Sequence, residues 1–299
     1  MAHPHPNSAK APQSFFSGVI IGLLGLTITL SMTGCATIIT GALVLPIMAL
    51  NGGHPVSGVG LRSSSSQQKM DRQEYYVSQN KFWVTAAEGD AEAWVKEHPE
   101  DAAKTDTFRR HVKAAAQGDA NAELRVGYCY YTSLGVNKSN QKARVWFQNA
   151  AEKGLAVAQI NLGICYHEGI GVVRKDDVTA LKWFRAAAEQ GEAYARNRLG
   201  AAYYLGEGVL KDDGKAFEWY LMAAQQGDPA SQAAVGDCYA EGIGVKMNMV
   251  EAYAYYGLAS RTFESCRKKL ALLDAKLSPA ERQHAQQLTK ERREALATK

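Results

Sequence analysis

The chain has 299 residues, of which 46% are hydrophobic and 21% charged, a balance that is typical of folded proteins and argues against global disorder. Its formal net charge is +4. From Arg267 onward there are nine Lys and Arg against four Asp and Glu, a surplus of five, so the residues before Arg267 sum to −1. A near-neutral main body argues against a nucleic-acid-binding surface there, and only the tail could supply a basic stripe.

The N-terminal region predicts a membrane tether. No Asp, Glu, Lys or Arg occurs between Lys10 and Arg62, and residues 15–32 are apolar over a length that could cross most of a bilayer. An apolar stretch that ends in small residues is typical of a secretory signal. Residues 32–35, Met-Thr-Gly-Cys, resemble a bacterial lipoprotein signal. The resemblance implies a signal segment over residues 1–35, acylation of Cys35 and a protein in the cell envelope that faces the periplasm.

A second apolar run, residues 36–50, follows where a polar tether is usual. It leaves two alternatives open, an uncleaved inner-membrane signal anchor and a helical hairpin bent near Gly34. Residues 51–70 are rich in Gly and Ser and predict a flexible linker, so that residues 36–70 form an apolar stretch and linker. Each alternative keeps the chain at a membrane.

From Ala114 onward the sequence repeats itself. Three series of glycines recur with spacings of 36, 37 and 36 residues, and the extra residue falls near Val173, in a predicted loop. The first series is Gly118, Gly154, Gly191 and Gly227; the second is Gly127, Gly163, Gly200 and Gly236; the third is Gly135, Gly171, Gly208 and Gly244. Agreement among three independent series indicates four copies of one structural unit.

Each unit predicts two helices joined by a turn. Small and apolar residues around the second glycine, followed by Tyr three positions later, mark one face of a first helix. A glycine inside that helix costs about 1 kcal/mol relative to alanine, which suggests that it permits close helix approach. The glycines of the turn suit left-handed backbone. One slot holds the predicted N-cap of the second helix, occupied by Ser139, Asp176, Asp212 and Asn248.

Units of this length and pattern resemble Sel-one-like repeats, which are related to tetratricopeptide repeats. The resemblance implies an all-α fold, a right-handed α-solenoid of stacked helix-turn-helix repeats preceded by the apolar N-terminal segment. Four repeats are assigned to residues 118–260, a helical N-terminal cap or degenerate repeat to residues 71–117, and basic C-terminal capping helices to residues 261–299. Residues 86–93, Ala-Ala-Glu-Gly-Asp-Ala-Glu-Ala, echo the start of the first repeat. Ser278 and Pro279 predict the start of a closing helix.

The cysteines predict free thiols. Cys129, Cys165 and Cys238 occupy one slot of three units, and the remaining unit has Ala202 there, which indicates a small buried position. Equivalent positions of stacked units should lie about 10 Å apart. A disulfide requires Cα atoms closer than about 7 Å.

No catalytic or metal-binding constellation is evident. The sequence contains neither CxxC nor HExxH, and the Gly-rich turns lack the strand and the third glycine of a dinucleotide site. Two Ser-x-x-Lys pairs, Ser66 with Lys69 and Ser265 with Lys268, lack the companion motifs of penicillin-binding enzymes. Adjacent aspartates such as Asp176 and Asp177 include the N-cap slot, where helix dipoles favour negative charge. We therefore expect no metal, no cofactor and no catalytic residue.

The surface stripe of the first helices is the predicted partner-binding site, because solenoids vary their specificity on such positions. Its candidate residues are Asn121, Arg125, Tyr128, Asn161, Tyr194 and Arg198, accompanied by Val157, Ile164 and Ala201. Arg and Tyr are favoured at interfaces. An ordinary solvated helix face is the alternative for any single residue.

Three functions are compatible with these patterns. The first, implied mainly by the family resemblance, is a membrane-tethered adaptor that binds a protein or peptide through the solenoid surface. The second is a cell-envelope enzyme acting on β-lactams or peptidoglycan. The third is contact between the basic tail and anionic lipid or another acidic surface, which high salt would release.

Overall fold

The computed structural model describes residues 65–298, with side chains from residue 81 onward. Over that range the fold is helical, without β-strands. Twelve α-helices and one short 3-10 helix (Pro99–Asp101) make up this part of the chain: α1 (Ser65–Glu97), α2 (Ala102–Ala116), α3 (Ala120–Thr132), α4 (Asn140–Glu152), α5 (Ala156–Glu168), α6 (Asp177–Glu189), α7 (Ala193–Leu205), α8 (Asp213–Ala224), α9 (Pro229–Glu241), α10 (Met249–Ala259), α11 (Glu264–Asp274) and α12 (Pro279–Ala297).

Four helix pairs form the repeated units, as the glycine spacing predicts. The first helices are α3, α5, α7 and α9, and the second helices are α4, α6, α8 and α10. Each first helix packs on its own second helix, and α4, α6 and α8 each pack on the first helix of the next unit. On the N-terminal side α2 packs on α3, and on the C-terminal side α11 and α12 pack on α10. This arrangement of nearest-neighbour contacts is that of an α-solenoid.

The predicted N-caps of the second helices are confirmed. In every unit the capping side chain accepts a hydrogen bond from a backbone N–H in the first turn of the helix, and the four residues are Ser139, Asp176, Asp212 and Asn248. Hydrogen bonds from the Thr179 side chain and backbone lower the pKa of the Asp176 carboxyl. The aspartates at these positions therefore cap the free backbone N–H groups at the helix N-termini, as the sequence predicts.

The glycines within the first helices allow the two helices of a unit to touch. A Cβ added at Gly163 would lie 2.7 Å from a ring carbon of Phe184 on α6. The same contact, at 2.6 Å, recurs in the other three units, where Gly127, Gly200 and Gly236 face Phe147, Tyr220 and Tyr256. Real Cβ atoms are almost never that close to another heavy atom. The predicted close approach of the two helices is confirmed. In each unit the glycine faces one aromatic ring of the second helix.

The glycines of the turns have two separate roles. Gly169, Gly206 and Gly242 end first helices in left-handed conformation, and Ser133 does so in the first unit with φ 61°. The next glycine of each turn also has positive φ, but its main constraint is steric. A Cβ at Gly171 would overlap the backbone carbonyl of Asn140, at the start of the second helix of the preceding unit. These turns therefore join neighbouring units, a role that the turn pattern alone does not predict.

Residues 86–93, which echo the start of a repeat, do not begin a helix. Gly89 lies inside α1 rather than before its start. Asp90, the equivalent of the N-cap Asp119, instead accepts hydrogen bonds from the Tyr130 hydroxyl and the Lys142 ammonium, both at 2.5 Å. This residue therefore links α1 to both helices of the first repeat.

The predicted free thiols are confirmed. Cys129, Cys165 and Cys238 are buried and unpaired by disulfides, as is Cys266 of α11. Burial raises the pKa of each of the first three thiols to about 11. At neutral pH they are therefore protonated and behave as small apolar side chains.

One repeated position of the first helices forms a hydrogen bond to the preceding unit. In the second unit Gln159 donates through Nε2 to the Ala151 carbonyl at 3.3 Å, and Gln232 makes the same bond to Ala224 in the fourth. The first unit has Glu123 there instead. Its side chain is fully buried, Oε1 accepts from Lys153 at 2.8 Å, and Oε2 has no hydrogen-bond partner among the described residues.

We expect Glu123→Gln to stabilise the protein at neutral pH. Burial raises the pKa of the Glu123 carboxyl, and the bond from Lys153 only partly opposes this shift. The stability that Glu123 confers is therefore complete below its unfolded pKa of 4.5 and declines as the pH rises through the higher folded value. The variant should gain about 1 kcal/mol at pH 7 and little at pH 4. Urea unfolding at both pH values measures this, and an equal gain at both would contradict it.

The C-terminal helices use most of their basic residues internally. Ser278 and Glu281 form a capping box at the start of α12, and Pro279 occupies its first turn, as predicted. Ion pairs join five basic residues of the tail to carboxylates, and these pairs are Lys268–Glu264, Lys269–Asp237, Arg282–Asp274, Lys290–Glu294 and Arg292–Glu251. The tail consequently presents less free positive charge than its composition suggests.

Candidate partner-binding surface

The predicted candidate residues lie on one side of the first helices, here called the first-helix face. Asn121, Arg125, Tyr128 and Tyr194 are exposed, whereas Asn161 and Arg198 are half-buried. The face comprises Asn121, Arg125, Tyr128, Val157, Asn161, Ile164, Tyr194, Arg198 and Ala201, from α3, α5 and α7. The buried slots of the same helices are filled by packing, with Leu162 and Leu199 fully enclosed. These helices thus divide into a packed side and an exposed side.

Aromatic rings of the second helices support this face from below. The ring of Tyr128 packs edge-on against Phe147, with centroids 5.3 Å apart. The guanidinium of Arg198 lies over Phe184, 5.7 Å from its centroid. Phe147 and Phe184 are also the rings that the glycines of the first helices accommodate. The packing that sets the distance between paired helices therefore also positions side chains of the candidate site.

A hydrogen bond connects the face across two units. Asn161 of α5 donates through Nδ2 to the Tyr128 hydroxyl of α3 at 2.8 Å, and also to the Val157 carbonyl at 2.7 Å. The second bond requires a donor and so determines which amide atom is nitrogen. Two predicted candidate residues are thus in direct contact. No hydrogen bond or ion pair joins Asn121 or Tyr194 to another candidate residue in the described side chains.

Aromatic residues that the sequence pattern did not single out lie at the edge of this face. Tyr131 and Tyr204 are 40% and 38% exposed, so they add to the aromatic surface. Lys138 and Lys211 lie over these two rings, at 5.6 and 5.3 Å from the centroids. His167 occupies the same slot in the second unit and bonds Asp177 through Nδ1 at 2.7 Å. The repeat spacing could have revealed this slot, because its members also recur after 36 and 37 residues.

Arg198 lies in a small depression that is also lined by acidic side chains. The lining includes His167, Asp177 and Glu207 together with the ring of Phe184. The Arg198 Nε is buried and lacks a hydrogen-bond partner among the described residues. Its surroundings contain carboxylates, so this part of the face differs from the region around Arg125.

The structure also shows the surroundings of the Ser265–Lys268 pair and of one cavity. Residues 81–298 hold no group of three or more His, Cys, Asp or Glu side chains that could bind a metal ion. Ser265 is exposed, and Lys268 pairs with Glu264 at 3.2 Å on the same helix.

A cavity of about 290 Å³ lies between α8, α10 and α12. Its lining includes Leu258, Leu296 and Arg292, and the Arg292 guanidinium is bound to Glu251 and stacked 4.3 Å from the Tyr255 centroid.

The predicted N-terminal features fall outside the described residues. These are the signal segment, the lipidation site Cys35 and the apolar stretch that follows it. Ser66 and Lys69 lie in α1 before the described side chains begin. Among residues 65–298, none of the helices combines the length and apolar composition that a membrane crossing requires.

Comparison with known proteins agrees with the repeat geometry. The Sel1 repeat family matches residues 120–155, 156–192, 193–228 and 229–261, one match for each helix pair. A crystal structure of a Sel1 repeat protein from Oxalobacter formigenes is 36% identical, with a TM-score of 0.51, over 60% of this chain and 72% of that one. No curated protein sequence matches the chain significantly.

Two further solved structures are more distant. One is c5321, a protective antigen of uropathogenic Escherichia coli with an SLR fold, which is 22% identical with a TM-score of 0.31 over 75% of this chain and 66% of that one. The other is the immunity protein Pa5087 from Pseudomonas aeruginosa, 22% identical with a TM-score of 0.37 over 70% and 81%. Four matched repeats and 36% identity to a solved member show that this chain belongs to the Sel1 repeat family.

Proposed function

We propose that this protein is a scaffold that binds a protein or peptide partner through the first-helix face. Sel1 repeats typically mediate protein–protein interaction, which supports a binding role for the four units. The observation that carries the proposal is the division of the first helices into a packed side and an exposed side that is rich in Tyr, Asn and Arg. The bond between Asn161 and Tyr128 makes that exposed side continuous across two units.

A stack of repeated units suits an extended partner. Equivalent positions of adjacent units lie about one helix diameter apart, roughly 10 Å, and an extended peptide advances about 3.3 Å per residue. One unit would therefore read about three residues of the partner. We further propose that the superhelix is right-handed with the first helices on its concave side, and that residues 71–117 form an N-terminal cap or degenerate repeat. Gly135 supports this cap, since a Cβ there would meet the backbone of Lys104 at the start of α2.

Membrane attachment is the second part of the proposal. The Met-Thr-Gly-Cys sequence and the uncharged stretch from residue 11 to residue 61 support a lipoprotein that faces the periplasm, with a signal anchor as the alternative. Intact-mass measurement of the mature protein tests this. An acylated N-terminus at Cys35 is expected, whereas an intact N-terminus would support the anchor. The scaffold role does not depend on this outcome.

Site-specific photocrosslinking tests the scaffold role. A photoreactive phenylalanine analogue is placed at Tyr194 on the face, and at Lys182 as the control, an exposed residue of the second helix α6. We expect one protein to crosslink from Tyr194 and not from Lys182 in cells that express the full chain. Mass spectrometry identifies that protein.

The identified protein is then purified and its affinity measured. Tyr194→Ala and Tyr128→Ala should each weaken binding at least about tenfold if they contribute as interface anchors, whereas Lys182→Ala should not. Equal capture from both positions, or an affinity that neither tyrosine changes, would rule out the first-helix face as the binding surface.

A further inference from the structure

The N-terminal end of the first-helix face has positive charge that is not neutralised by an ion pair. Arg125 is exposed on α3, and among residues 81–298 no carboxylate lies within salt-bridge distance of it. This differs from the basic residues of the tail, most of which are paired. An arginine without a carboxylate partner on a binding face is available to an external acceptor.

A second observation places more positive charge beside Arg125. His111 of α2 is half-buried, and its pKa is lowered by burial and then by the positive charges of Arg125 and Arg110. No acidic group contributes to that shift. Arg110 and Arg125 therefore form one region of positive potential at the junction of α2 and α3, and the His111 ring between these charges is held in its neutral form.

Tyr128 supplies a second donor next to Arg125. The two residues are three positions apart on α3 and so lie on the same side of the helix. Because the Tyr128 oxygen accepts the bond from Asn161, its own O–H proton is available to another acceptor. Asn161 donates to Tyr128 and Val157 through Nδ2. Its Oδ1 atom is therefore available to accept a hydrogen bond.

We propose that this corner binds the carboxylate of an acidic residue in an extended peptide, through Arg125 and the Tyr128 hydroxyl. The inference rests on the proposed scaffold function and names the chemistry of its partner. Asn161 Oδ1 accepts a backbone N–H of the same peptide. Arg198 does not duplicate this site, because Asp177 and Glu207 line its depression. The carboxylate therefore determines the direction in which the peptide lies along the face, with its acidic residue at the first unit.

NMR titration of the full-length chain in detergent micelles tests the carboxylate site. Arginine side chains are labelled with ¹⁵N, and the probes are N-acetyl-glutamate N-methylamide and the corresponding glutamine compound, which has the same shape without the charge. We expect the glutamate probe to shift the Arg125 Nε–Hε signal with at least about fivefold higher affinity than the glutamine probe. High salt should weaken the glutamate effect.

Three variants locate the effect. Arg125→Gln should abolish the preference for the charged probe, and Tyr128→Phe should weaken glutamate binding about fivefold through loss of one hydrogen bond. Arg174→Gln, an exposed residue in the turn of the second unit, is the matched control and should change nothing. Equal binding of the two probes, or the same loss in Arg174→Gln as in Arg125→Gln, would overturn the inference.

The outcome is separable from the scaffold proposal. If Tyr194 captures a partner whose affinity is unchanged by Arg125→Gln, the scaffold role stands and the carboxylate site is wrong. If Tyr194 captures nothing while the probes still distinguish charge at Arg125, the carboxylate site stands without a demonstrated protein partner.

Discussion

Replacing Gly171 by Ala is expected to lower the free energy of unfolding by about 3 kcal/mol or more. Gly171 has φ +69°, where an L side chain is strained by about 1–2 kcal/mol. The larger part is steric, since the new Cβ would overlap the carbonyl of Asn140, a backbone atom that no rotamer change can remove. The turn would have to separate from α4 and weaken the junction between the first two units. Urea unfolding followed by helical circular dichroism measures the loss.

Gly154→Ala is the matched control for this prediction. Gly154 also has positive φ, +89°, but an added Cβ would meet no atom within 4 Å. It should therefore lose only the conformational contribution, about 1–2 kcal/mol. The difference between the two variants reports the contact between the turn and the preceding unit. Equal losses would mean that this contact contributes nothing to stability.

The second large effect is expected for Gly163→Ala in the interior of α5. Alanine should favour an isolated helix by about 1 kcal/mol, but its Cβ would lie 2.7 Å from the Phe184 ring. Overpacking of this kind costs about 1–3 kcal/mol, and the ring is enclosed between helices. We therefore expect a net loss of up to about 2 kcal/mol, measured as a lower urea midpoint with an unchanged denaturant slope.

Gly89→Ala and a double variant serve as controls for the second prediction. Gly89 lies within α1 and an added Cβ would meet nothing within 4 Å, so this variant should gain about 0.5–1 kcal/mol. Phe184→Leu should reduce the loss caused by Gly163→Ala when the two are combined, because the flexible leucine can move away. A destabilised Gly89→Ala, or a double variant that shows additive losses, would contradict the packing explanation.

The Gly163 contact also has a consequence for binding. Phe184 supports the guanidinium of Arg198, so a displaced ring should move a residue of the first-helix face. Partner affinity and stability should consequently fall together in Gly163→Ala, although Gly163 itself is not on the face. The Gly171→Ala variant serves as the comparison for this coupled loss, because its clash is with Asn140 at the junction between units.

The repeated features could be read from the sequence because each of them recurs. A glycine such as Gly163, or an N-cap such as Asp176, appears four times in register, so that its role follows from the helix periodicity that surrounds it. Buried thiols such as Cys165 were predictable for the same reason, since Ala202 occupies the equivalent slot. The first-helix face was predictable only as a set of positions on one side of the helices, of which Asn161 and Arg198 are half-buried, and its choice of residues remains a prediction.

The sequence by itself therefore determined the unit length, the helix ends, the turn positions and the small buried slots, all of which depend on residues close together in the chain. Only the tertiary structure decided which atoms meet between units. It pairs Gly171 with Asn140, Asp90 with Lys142 and Tyr128 with Asn161, over separations of 31 to 52 residues. Such contacts depend on how one helix pair is placed against the next, and most of the pairs occur once, so no recurrence in the sequence announces them.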